Sequence, residues 1–175
     1  PSDHWADGVG REKTDTDPNT TLYPWMKERG DALTAAHTPE WSKAESKGTW
    51  TYHDPQVEPV AEIFQGFRKS YERPKGSVVE QASLWHALNK GHRLGFIASS
   101  DHMSTHMSFA CVWATGKTRE EIFEALSSRR TYAATDRIGL AFQIGEALMG
   151  EDVKLAPKQD VRIDLEIHGT GPIAN

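Results

Sequence analysis

The stretch GFIASSDHMSTHMS, residues 95–108, gathers metal-competent and nucleophilic groups directly behind an apolar run. Gly95-Phe96-Ile97-Ala98 has the short, apolar character of a buried strand. Ser99, Ser100, Asp101, His102, Ser104, Thr105 and His106 then follow in quick succession. An aspartate beside imidazoles is a donor set for a hard-to-borderline divalent cation, which can lower the pKa of water toward neutral and polarise an ester. Two other candidate strands lead to groups of the same kind. ALTAA (32–36) runs into His37, and VEPVAEIF (57–64) carries Glu62 near its end. Ligands of α/β folds bind outside the carboxyl ends of parallel strands, so His37, Glu62, Asp101 and His102 could converge on one pocket.

Each of these residues taken singly is as readily a capped turn. His102 and His106 are four apart, yet Ser104, Thr105 and Ser108 oppose a helix there and no H-E-x-x-H is present. His106 therefore reads better as a hydrogen-bonding or substrate-facing side chain. IASSD is not G-x-S-x-G, which argues against Ser99 or Ser100 as a nucleophile. Cys111 sits inside an apolar strand and reads as a small core residue. His4, His53, His86, His92 and His168 stand without supporting context. Arg68, Tyr71, Glu72 and Arg73 follow the second strand, where they face either an anionic substrate or solvent.

The elements that must position these groups change character along the chain. Residues 1–20 are polar and aperiodic, an irregular arm. Leu22, Trp25 and Met26 fall at helical spacing, with Gly30 as the stop. Residues 40–56 read as a long polar loop, and the apolar spacing from Val78 to Leu88 predicts a helix over 78–90 stopped by Gly91. LGFIA (94–98) and FACVWA (109–114) are strands, and Pro59 must lie at the start or edge of the 57–64 strand. Thr118 with Glu121 forms a capping box before IFEAL, with Arg129 and Arg130 at that helix's negative end. TYAAT, IGLAFQIG and DVRIDLEIHG are then strands with no helix between them. In the last, Val161, Ile163, Leu165 and Ile167 alternate with charged residues and His168, the pattern of a half-buried antiparallel strand. The expected division is an arm at 1–20, an α/β domain at 21–135 and a β-rich extension at 136–175.

The 175 residues suffice for one domain with a real core, and 37% hydrophobic with 26% charged content is that of a soluble globular chain. No run approaches the ~18 apolar residues of a membrane span. A net charge of -5 with mixed signs argues against a nucleic-acid partner. With Cys111 alone there is no internal disulfide and no thiolate zinc site, so a metal must be held by His, Asp and Glu; zinc, manganese and iron suit such donors. A single cysteine is also compatible with a reducing compartment such as the cytoplasm.

The segments VEPVAEIFQGFRKSYE, KGHRLGFIASSDHMSTHMSFACVWA, TREEIFEALSSRRTYAATD and EALMGEDV occur in that order. Together they resemble the later part of bacterial PHP (polymerase and histidinol phosphatase) domain proteins, in the branch with a C-terminal β-rich extension. The resemblance spans about residues 30–170. It implies a distorted (β/α)7 barrel, here partial and followed by an antiparallel β-rich segment, with a metal cluster that hydrolyses phosphoesters. It further implies His37, Asp101, His102 and Glu62 as ligands, with Asp101 and His102 at the catalytic centre; from their places in the chain, Arg68 and His106 could orient a small phosphoester-like substrate. The family's last motif is usually Asp-x-His, whereas here His102 follows Asp101 directly, so His102 or His106 is the second ligand of that pair. The family's upstream His-x-His and Asp-His motifs have no counterpart, and the chain reads as a fragment cut at both ends. A half barrel leaves strand edges that would drive homo-oligomer formation. Two rivals stand beside the hydrolase: a non-catalytic α/β scaffold, and a small-ligand binding module that uses the aromatic stretch Trp41 to Tyr52.

Overall fold

A computed structural model describes residues 20, 22–37, 50, 53–66, 70–73, 80–102 and 104–172. The first helix, α1 (Tyr23–Arg29), opens on a proline, Pro24, in its first turn, where a missing N–H costs nothing. It ends at Gly30, whose φ of 68° is the left-handed conformation glycine adopts freely, and the Gly30 N–H returns to the Met26 carbonyl. Tyr23 and Met26 are its buried face, packed on Val57 with Leu22 and Ala32 beside them.

Three short strands, β1 (Ala35–Ala36), β2 (Val60–Gln65) and β3 (Gly95–Ser99), form a parallel sheet in that order. Pro59 lies immediately before β2, where it interrupts no ladder bond, and its carbonyl accepts from the Gly95 N–H. One side of the sheet is covered by α2 (Leu84–Asn89), and Ala36, Trp50, Ala61, Leu84 and Ala87 make a core with Ile63, Leu94 and Phe96 against it. The helix expected over 78–90 is thus shorter. Ser83 is extended (φ -73°, ψ 153°) and its hydroxyl accepts from the His86 N–H, so the helix starts only at Leu84, after a 3-10 turn at Glu80–Ala82.

Beyond β3 the chain doubles back. The strand β4 (Phe109–Val112) pairs antiparallel with β5 (Thr131–Ala134), and α3 (Arg119–Ser127) joins the two. The expected capping box is present: the Thr118 hydroxyl receives the Glu121 N–H, and the Glu121 carboxylate receives the Thr118 N–H. This ribbon lies against β3 so closely that a Cβ on Gly95 would stand 2.5 Å from Thr131 Oγ1. A third sheet follows, with β6 (Gly139–Ile144) between β7 (Ala147–Leu148) and β8 (Ile163–His168), all antiparallel.

The fold is therefore mixed α/β with several small sheets, and the described residues form no closed barrel. The partial (β/α)7 barrel expectation is corrected by the topology. After β3 the chain pairs antiparallel, instead of crossing over to add a fourth parallel strand. The half-buried reading of the last strand also changes. Its alternation is real, but Ile163, Leu165 and Ile167 are 56%, 57% and 40% exposed. No helix among the described residues is long and apolar enough to cross a membrane.

Candidate functional site

The carboxyl ends of the three parallel strands bring two of the singled-out groups together. Glu62 sits within β2 at a register shift against β3, between Glu62 and Phe64, and is only 2% exposed. Such irregularities re-aim side chains near functional sites. A buried carboxylate is costly unless donors satisfy it. Glu62 has them on both oxygens. His37 Nδ1, just past β1, lies 3.0 Å from Oε2, and the Ser99 hydroxyl at the end of β3 donates to Oε1. Groups at or just past the ends of β1 and β3 thus meet at a single carboxylate of β2. The order His37–Glu62–Ser99 puts the carboxylate, not the imidazole, against the hydroxyl, so Ser99 is not activated as a triad serine would be.

The loop after β3 answers a different need. Ser100 Oγ accepts from the backbone N–H groups of Met107 and Ser108, each at 3.0 Å, and donates to the Ser108 carbonyl. The Ser108 hydroxyl in turn donates to the Ser99 carbonyl and accepts from the Gly66 N–H. These two buried serines close the base of the loop like staples. At the tip, the Ser104 hydroxyl accepts from the His106 N–H, and Thr105 Oγ1 lies 2.8 Å from His106 Nδ1. Hydroxyls that could be read as nucleophiles are loop architecture.

Asp101 and His102 form the second pair. Asp101 adopts φ 62°, which aspartate tolerates better than most residues. Its Oδ1 accepts from the His102 N–H at 2.8 Å and lies 2.7 Å from His102 Nδ1. The Asp101 side chain is 11% exposed and that of His102 is 71% exposed. Each pair therefore joins one sheltered carboxylate to one exposed imidazole, and Asp101 begins only two residues beyond the Ser99 that touches Glu62. Among the described residues no three His, Cys, Asp or Glu side chains gather closely enough to hold a metal ion.

Arg68 lies outside the described residues. The neighbouring candidates are engaged elsewhere: Tyr71 is buried with its hydroxyl on Gln65 Oε1, and Arg73 stacks 4.8 Å over the Trp85 ring beside Glu72. Trp41 also lies outside the described residues, whereas Trp50 is a core residue. Two apolar recesses, one beside Trp113 and Leu148, the other between Phe96, Tyr132 and Leu165, contain none of the candidate ligands.

Residues 72–161, just over half of the chain, match the family described as "Protein of unknown function (DUF3604)", and the chain belongs to that family. No PHP family matches, so the PHP assignment is corrected. The segments from GFIASSDHMSTHMS to RRTYAATD that carried the resemblance fall inside the matched span. No curated protein matches the chain. No solved structure matches it.

Proposed function

We propose that the chain contributes to a metal-dependent hydrolase acting on a small anionic ester of the phosphoester type. The observation that carries this reading is the His37–Glu62 pair at the carboxyl ends of β1 and β2, with the Asp101–His102 pair in the loop that follows β3. Two carboxylates and two imidazoles suit zinc, manganese or iron, the same divalent transition metals that the donor types favour in the sequence. Bound there, the cation would supply Lewis acidity for the ester and for water. The chain's own part is to hold the sheltered carboxylates of Glu62 and Asp101 in place by packing. His37 and His102, exposed at 64% and 71%, can change rotamer at little cost to turn toward a common point. His106, also exposed, stands on the same loop to meet the substrate's charge.

The test is manganese titration followed by electron paramagnetic resonance on the chain, on His37→Ala and on Asp101→Ala. Saturable binding weakened by both substitutions supports the reading. Binding indifferent to both removes the site. A second reading, a non-catalytic α/β scaffold, is favoured by the absence of a three-ligand group among the described residues. In that case Glu62 is a structural ion pair, and no manganese binds.

A further inference from the structure

The amino end of the same parallel sheet holds a second cluster of unusual chemistry. His53 lies in the segment leading into β2, and His92 lies just before β3. Their rings meet edge to face with centroids 4.5 Å apart, and the Trp50 indole packs 6.1 Å from both. The His53 side chain is 1% exposed.

Each ring has one nitrogen committed and one bare. His53 Nδ1 lies 3.1 Å from Glu58 Oε2, a carboxylate that also interacts with the Tyr23 hydroxyl. An ionised carboxylate only accepts, so His53 donates from Nδ1, and in the neutral ring the lone pair is on Nε2. The Trp50 backbone favours the protonated form of His92, as an acceptor carbonyl beside the ring does, and Nε2 has no partner, which leaves Nδ1 as the nitrogen on that side. Both Nε2 atoms are buried and without a hydrogen-bond partner. Metal-binding histidines are oriented in this way, with Nδ1–H given to a carboxylate or carbonyl and Nε2 turned to the ion. Burial holds the His92 imidazole below its ordinary pKa, which favours the neutral ring that a ligand must present.

We propose that His53 and His92 form a two-nitrogen site for a single late transition cation of the zinc or copper type, at the end of the sheet opposite the His37–Glu62 pair. Imidazole nitrogen is the favoured donor for such ions, whereas magnesium and calcium demand oxygen. Glu58 does not ligate; it is a positioning residue that fixes the His53 tautomer. With two protein donors, the remaining coordination positions fall to water or a small anion. The site is independent of the proposed hydrolase centre.

The test is 15N NMR of the imidazole nitrogens during zinc titration of the His37→Ala/Asp101→Ala variant, in which the other end of the sheet is disabled. The expected result is that the Nε2 resonances of His53 and His92 shift together and saturate at one equivalent, with no response to magnesium. His92→Phe, which keeps an aromatic ring in the slot, abolishes the response of His53. Should His92→Phe fail to fold, the first titration decides alone. Nε2 resonances that stay unmoved in excess zinc overturn the proposal, as they would if a buried water bridged the two nitrogens. Saturable binding that survives in folded His92→Phe also overturns it.

Discussion

Glu62 shows how one side chain links the packing of the sheet to its chemistry. Its carboxylate is out of solvent, and both oxygens are satisfied by groups from neighbouring strands. Glu62→Ala removes the acceptor they share and leaves the Ser99 hydroxyl to find another partner. The expected loss is about 1–3 kcal/mol, the usual cost of breaking a buried hydrogen-bonded group, read as a lower urea midpoint. His37→Ala should cost less, because that imidazole is mostly solvated and surface pairs contribute ~0–1 kcal/mol. Equal losses in the two variants would mean that His37, not the depth of Glu62, governs the pair. The placement of His37, Glu62, Asp101 and His102 at or near strand ends is legible in the sequence, because short apolar runs are recognisable. The staples Ser100 and Ser108 were not, since a hydroxyl's partner depends on loop closure eight residues away. His53 and His92 stand 39 positions apart in sequence and meet only through the folded sheet.

The elements were legible where local chemistry decides them. Gly30 ends α1 and the Thr118–Glu121 box starts α3, as their residue types dictate. Thr118→Ala should destabilise by about 1 kcal/mol through loss of the N-cap hydroxyl, measured by thermal unfolding. The Glu121 carboxyl is held below its ordinary value, chiefly by the Thr118 backbone N–H and then by the Thr118 hydroxyl. Its folded pKa is thus depressed, and the stability it contributes is present above the ordinary glutamate range and lost as pH falls through the folded value. Thr118→Ala keeps the backbone N–H and should weaken that acid-side dependence only in part, whereas Glu121→Gln should remove it; an unchanged pH profile in Glu121→Gln would assign it to other carboxylates. Gly150, with φ 94°, ties the β-rich segment to the end of α3: a Cβ there would stand 2.2 Å from the Ser128 carbonyl oxygen. Gly150→Ala should cost more than the ~1 kcal/mol of a helix-interior glycine change, because strain and overlap act together. A midpoint equal to wild type would show that the turn relaxes freely. Within the described part of the 78–90 helix, the apolar period overruns the true helix start because it continues through Ser83, whose hydroxyl prefers to cap.

At the scale of the whole molecule, the sequence order of α/β elements followed by β strands is what forms, but closure into a barrel is not. Periodicity reports which face of a strand is apolar; it does not report which strand lies next to it. The same limit explains β8, whose alternation was clear while the exposure of Ile163, Leu165 and Ile167 was not. Such a face, beside the edge strand of a three-stranded sheet, should drive self-association. Light scattering should show mass rising with concentration, and Leu165→Asp should suppress it; a monomer at every concentration would contradict this. The proposal that the carboxyl ends of β1 to β3 are a hydrolytic metal face stands or falls on catalysis. The most direct measurement is turnover of aryl phosphate mono- and diesters with manganese, zinc or iron supplied, by the chain and by Asp101→Ala. Metal-dependent turnover is expected, falling by ~10²–10³ in the variant, the range seen when one electrostatic stabiliser is removed. Turnover absent with all three cations, or unchanged in Asp101→Ala, would contradict it.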